Sequence, residues 1–242
     1  MILENTYLQQ LKQADPELAD LFWNFAYMEV PKEKGQELGE KTRYLAILAT
    51  LLGCQGGELF REILSEALDN GVTAIEAKEV VYQAVAYLGI GRVFPFIKIT
   101  NEVMENLGIH LPLEKQSTTI PETRVEAGEQ MQVDIFGERF KGFHASGPEE
   151  TRHINRWLAG NCFGDYYTRT GLDVKQREMI TFCYLAAQGT EIQLKGHIGG
   201  NAAVGNDRKF LIAVVSQCMP YIGYPRTLNA LRCIDEVLGN QA

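Results

Sequence analysis

Apolar residues recur at three- and four-residue spacing through most of the chain. Between Glu58 and Asn70, Leu59, Ile63 and Ala67 form one stripe, with Phe60, Leu64 and Leu68 beside it, as one buried face of an α-helix requires. Asn70-Gly71 ends that helix, since Asn and Gly readily take the backbone conformation that closes a helix. Thr73, followed three residues later by Glu76, writes a capping box ahead of an apolar run to Leu88, and Gly89 closes this second helix. Alternating strand patterns bounded by hairpin turns are not convincing anywhere, so the patterning predicts an all-α fold.

The same pattern occurs twice. Shifted by 134 residues, Lys41-Thr42-Arg43 falls on Lys175-Gln176-Arg177, Gly71 on Gly205, and Val80-Val81-Tyr82-Gln83 on Val214-Val215-Ser216-Gln217. Tyr87-Leu88-Gly89 meets Tyr221-Ile222-Gly223, Arg92 meets Arg226, and Glu102-Val103 meets Glu236-Val237. Trp23 and Trp157, the two tryptophans, match at the same shift. A period this long, present twice, describes two joined copies of one unit and not a solenoid. The expected organisation is a first unit over 1–106, a Pro- and Thr-bearing linker over 107–129, and a second unit over 130–242. In the second copy, Asp207 stands as a helix cap where the first has Thr73. Pro220 is expected to kink or end the corresponding helix.

Composition narrows the function classes. A formal charge of −8 argues against surface-wide attraction to nucleic acid or anionic membrane. No run approaches the roughly 20 apolar residues of a membrane span. The N-terminal Met1-Ile2-Leu3-Glu4-Asn5-Thr6 lacks a basic and an apolar signal region, so a cytoplasmic location is expected. Five cysteines, Cys54, Cys162, Cys183, Cys218 and Cys233, spell neither a disulfide framework nor a C-x-x-C motif, and four scattered histidines offer no metal pair.

The two copies differ where chemistry could sit. Ile63 of the first becomes His197 in the second, and Tyr44 becomes Glu178. An imidazole on an inward-facing helix stripe must find a partner, and Glu178 on the preceding helix is a candidate. The alternatives are a core histidine bonded to a backbone carbonyl and a solvated carboxylate. Gly196, Gly199 and Gly200 surround the histidine; each costs about 1 kcal/mol in a helix interior relative to alanine, so open space or close backbone approach is expected there. Asn201, one turn on, is placed to add a hydrogen bond.

These residues, with Ala67-Leu68-Asp69-Asn70-Gly71-Val72-Thr73 in the first copy and Tyr221-Ile222-Gly223-Tyr224-Pro225-Arg226-Thr227-Leu228-Asn229-Ala230-Leu231 in the second, resemble the carboxymuconolactone decarboxylase family, which includes the AhpD-like alkylhydroperoxidases. The resemblance covers roughly residues 15–106 and 130–240. It implies two tandem helical repeats that build a homo-oligomer, a trimer or other ring.

The peroxidase branch of that family uses a C-x-x-C pair four residues before the histidine. Here those positions hold Thr190 and Gln193 in the second unit and Gly56 and Leu59 in the first, so thiol peroxidase chemistry is not expected. Cys54 does not substitute for the pair by spacing. The decarboxylase branch, which lacks the cysteine pair and keeps the histidine, matches better. It implies loss of carbon dioxide from a small carboxylated lactone, with no metal or organic cofactor. His197 is then the general acid/base and Glu178 its orienting partner. Arg226 or Arg177 would hold a substrate carboxylate, although their first-unit counterparts Arg92 and Arg43 make an interface role an alternative. Gln193 and Asn201, with Gln188, Thr190 and Glu191 nearby, supply further contacts. The competing class is a helical scaffold or small-molecule binding protein without catalysis.

Overall fold

The repeat in the sequence becomes a repeat of helices. In the computed structural model, which describes residues 6–239, the first unit holds α1 (Thr6–Ala14), α2 (Pro16–Trp23), α3 (Glu40–Gly53), α4 (Gly57–Asp69), α5 (Ala74–Leu88) and α6 (Ile90–Asn106). The second holds α7 (Arg124–Phe136), α8 (Arg152–Trp157), α9 (Val174–Gln188), α10 (Glu191–Ala203) and α11 (Arg208–Leu238). Among the described residues there is no strand, and no helix is long and apolar enough to cross a membrane. Residues 1–5, on which most of the expectation about location rested, lie outside the described residues.

Local signals act where the patterning places them. Thr73 and Glu76 form the complete capping box of α5, and Asp207 accepts from the Phe210 amide at 2.8 Å to start α11. Trp23 and Trp157 each stand immediately before a π-helical segment, π1 (Asn24–Glu29) and π2 (Leu158–Tyr167). Such wide turns re-aim side chains and often mark functional sites.

Two boundaries depart from expectation. Pro220 does not end its helix; the break comes three residues later at Gly223, whose φ of 74° only glycine adopts freely. Gly223 is the repeat counterpart of Gly89, φ 79°, so residues 208–222 and 224–238 of α11 correspond to α5 and α6. The second lies in the stretch expected as linker. α7 begins at Arg124, six residues before Gln130, because Gly128 lets it pack against π2 at backbone contact: a Cβ there would sit 1.8 Å from the Ala159 carbonyl oxygen. The remaining connection is strapped to the same region, with the Thr118 and Thr119 hydroxyls donating to the carbonyls of Thr168 and Gly164, both at 3.0 Å.

The two units share one apolar core, centred where α3 packs along α9. At that seam Arg43 Nε donates to Gln217 Oε1 at 3.1 Å, and Arg177 Nη1 donates to Gln83 Oε1 at 2.8 Å. The arginines are repeat counterparts, and so are the glutamines. Each unit's arginine therefore bonds the other unit's glutamine, the reciprocal pattern of a two-fold dimer written into one chain.

Candidate active site

α9 and α10 bring the two unlike positions together. His197 Nδ1 lies 2.9 Å from Glu178 Oε2 and 3.2 Å from Oε1. Glu178 is 0% exposed and His197 9%, so the pair is shielded on one side and reaches an opening on the other. Asn201 holds the two helices in register: its amide donates to the carbonyl of Glu178 at 2.9 Å and to that of His197 at 2.8 Å. The glycine expectation resolves into two cases. A Cβ at Gly200 would sit 2.5 Å from Glu178 Oε2, so the carboxylate occupies the space glycine leaves. At Gly196 and Gly199 a Cβ would meet nothing within 4 Å.

Two phenols that the sequence reading did not single out as site residues complete the polar cluster. Tyr167, at the end of π2, donates to Glu178 Oε1 at 2.8 Å and lies 2.8 Å from the Thr181 hydroxyl. Tyr87, from α5 of the first unit, donates to Tyr167 Oη at 2.9 Å and lies 3.4 Å from His197 Nε2. Both imidazole nitrogens are thus tied into one loop of hydrogen-bonding groups through Glu178, Tyr167 and Tyr87. Burial, reinforced by the charge on Glu178, pushes both phenols well above their ordinary pKa, so they stay protonated donors at neutral pH. The edges of Tyr87 and Phe136 flank the imidazole, with centroids 5.4 and 5.5 Å away.

His197 opens onto a cavity of about 520 Å³ with Phe136, Phe140, Phe163 and Leu158 among its apolar walls. This is a common size for a small-molecule site. Gln188, Thr190, Gln193 and Gly196 line it as well. The cavity also contains a thiol, Cys162, whose Sγ is 3.8 Å from Tyr87 Oη. Burial pushes that thiol's pKa up to about 12, which leaves it protonated and a poor nucleophile. Cys54 does not line the cavity, and burial raises its pKa as well.

Three expected substrate contacts lie away from the cavity lining. Arg177 is 0% exposed and committed to Glu79 at 2.9 Å, to Gln83 and to the Arg169 carbonyl, so it belongs to the seam between units. Asn201 is fully buried and spends its amide on backbone carbonyls. Arg226 is exposed and lies against Gly189, where a Cβ would clash with its guanidinium, at the C-terminal end of α9 and outside the cavity lining. Cationic side chains suit that end of a helix. Of the four proposed contacts, Gln193 alone lines the cavity. The cation that does line it is Arg139, exposed and resting over the Phe140 ring.

The double repeat is also what comparison with known proteins finds. The model of the carboxymuconolactone decarboxylase family matches residues 16–102 and 153–236, and the chain belongs to that family. It is similar to a 4-carboxymuconolactone decarboxylase of Acinetobacter baylyi, with 30% identity over 117 residues, 48% of this chain and 87% of that relative.

Proposed function

We propose that the protein is a decarboxylase of small carboxylated lactones, working without a cofactor, with one catalytic site per chain in the second unit. The observation that carries it is the Glu178–His197 pair set at the wall of an otherwise largely apolar cavity.

The chemistry follows from charge. When the carbon–carbon bond to the carboxylate breaks, carbon dioxide departs and the electron pair moves into the unsaturated lactone as an enolate. That anion then needs a proton. His197 holds Nδ1–H toward Glu178, which fixes the tautomer and stabilises the imidazolium. Nε2 delivers the proton to carbon, and Tyr87 compensates for its loss: its hydroxyl turns from Tyr167 toward the bare Nε2. The apolar walls of Phe136, Phe163 and Leu158 favour loss of a charged carboxylate as neutral carbon dioxide, because the dispersed charge of the transition state loses less hydration. The first unit has Ile63 and Tyr44 at the matching positions and acts as a structural partner that contributes Tyr87.

The test is carbon dioxide release from an unsaturated lactone carboxylate by wild type, His197→Ala and Glu178→Gln. Loss of about 100-fold or more in the first variant, the scale of acid–base assistance, is expected. Unchanged turnover in both variants rejects the assignment. Binding without release in the wild type would make the protein a binder instead.

A further inference from the structure

The catalytic proposal leaves unused a polar group that the fold buries at some cost. Gln132 sits on the inward stripe of α7, one turn before Phe136 and one after Gly128. Its side chain is 0% exposed, it contributes to the cavity wall, and neither Nε2 nor Oε1 has a hydrogen-bond partner. The Thr190 hydroxyl, in the same wall, is equally without a partner. A buried amide with nothing to bond is worse for stability than an apolar side chain of the same shape. Two such groups converging on one cavity point to a ligand that supplies their partners.

Charge completes the description. Arg139 follows the Gly137 turn that ends α7, and its guanidinium stacks over Phe140 at 5.5 Å. Among the described residues it forms no ion pair, so its donors remain available. A planar guanidinium takes a carboxylate through two parallel hydrogen bonds.

We propose that Gln132, Thr190 and Arg139 are the recognition residues of this cavity. The ligand class is a small carboxylate that also carries a carbonyl or hydroxyl oxygen, with the second oxygen at the Gln132 amide and, at Arg139, a carboxylate other than the one the proposed reaction releases. This rests on the proposed function only in taking the His197 cavity as the substrate site. Nε2 donates to a carbonyl oxygen, Oε1 accepts from a hydroxyl, and the Thr190 hydroxyl serves either.

The experiment measures binding without chemistry. The probe is a saturated butyrolactone carboxylate, which has no double bond to receive the electrons of decarboxylation, compared with its methyl ester. Calorimetry and thermal melting are run on wild type, Gln132→Leu, Thr190→Val and Arg139→Gln. Wild type is expected to bind the acid at least tenfold more tightly than the ester, and Arg139→Gln to lose that preference. Gln132→Leu is expected to melt at or above wild type without ligand while binding both probes at least tenfold more weakly, with Thr190→Val following in the same direction. If Gln132→Leu melts lower or does not fold, the amide is structural and the proposal is overturned. Unchanged affinity in Gln132→Leu and Thr190→Val, an acid preference retained by Arg139→Gln, or a wild type that binds neither probe also overturns it. A protein that binds the acid as expected yet never releases carbon dioxide from an unsaturated lactone would lose the catalytic assignment and keep this one.

Discussion

Tyr87 and His197 belong to different repeats and lie 110 residues apart, yet the Tyr87 hydroxyl is 3.4 Å from His197 Nε2. The unit with Ile63 at the matching position thus supplies a phenol to the unit that carries His197. The contact depends on the seam between α3, α5 and α9, where Gln83, one turn before Tyr87, donates to the Arg177 carbonyl and to Thr181. The first unit therefore forms part of one wall of the cavity, through Ala86 and Tyr87.

Replacing Tyr87 with phenylalanine should lower kcat by about 10- to 100-fold, less than loss of the general acid itself, with little change in KM. The ring and its packing on His197 survive, so the fold should be retained. The pH dependence of kcat should move as well, because Nε2 loses the hydroxyl beside it. Steady-state kinetics across pH would check this; a variant with wild-type kcat and an unshifted profile would show that the phenol only fills space.

Arg177 and Glu79 make a second prediction, about stability. Glu79 is 1% exposed and holds both Arg177 and Arg169, at 2.9 and 2.8 Å. Removing one partner of a buried ion pair costs about 3–5 kcal/mol. Arg177→Met leaves Glu79 paired with Arg169, so its cost should fall at or below the low end of that range. Glu79→Gln leaves a fully buried guanidinium without a counter-charge and should cost more. Urea unfolding of the two variants ranks them; the reverse order would mean that Arg177 is held more by Gln83 and the Arg169 carbonyl than by the charge of Glu79.

The repeat, the helices and the Glu178–His197 pair were legible because each leaves a local or periodic trace: a cap, a stripe, a break in symmetry between copies. Tyr87 left a misleading one. It recurs as Tyr221, so it reads as part of the shared scaffold, whereas its role arises from crossing to the other unit. Gln132 is hidden by the polar stretch around it; its one signal is a glutamine on the stripe formed by Gly128, Ile135 and Phe136. Arg177 misled in the opposite direction, since an arginine beside Glu178 is indistinguishable in sequence from one turned toward the opposite face of the helix. Facing, and not residue type, separated these cases.

High pH gives a third prediction. Burial drives the phenols of Tyr87, Tyr167 and Tyr184 well above their ordinary pKa of about 10. The native state therefore keeps protons that the unfolded chain gives up. Stability contributed by these groups is complete below about pH 10 and falls as pH rises beyond it, toward the elevated native values. Melting temperature should decline from about pH 10 upward, and tyrosinate absorbance from the buried phenols should appear together with unfolding. Full tyrosine ionisation in a protein that stays folded would contradict it.

The glycines of α10 separate geometry from propensity within one helix. Adding a methyl group at Gly196 or Gly199 meets nothing within 4 Å, so alanine there should stabilise the helix by up to about 1 kcal/mol through reduced backbone entropy in the unfolded chain. The same methyl at Gly200 arrives 2.5 Å from Glu178 Oε2 and 2.8 Å from the Phe136 ring. Glu178 is fully buried and held by Tyr167, so it has little room to retreat without lengthening its contact with His197. Gly200→Ala should therefore lower kcat by about 100-fold or more, because a displacement of about 1 Å in a catalytic constellation carries a penalty of that order. Its melting temperature should fall too, while Gly196→Ala and Gly199→Ala rise. If Gly200→Ala proves as active and as stable as the other two, the carboxylate does not stand where its hydrogen bonds to His197 and Tyr167 place it.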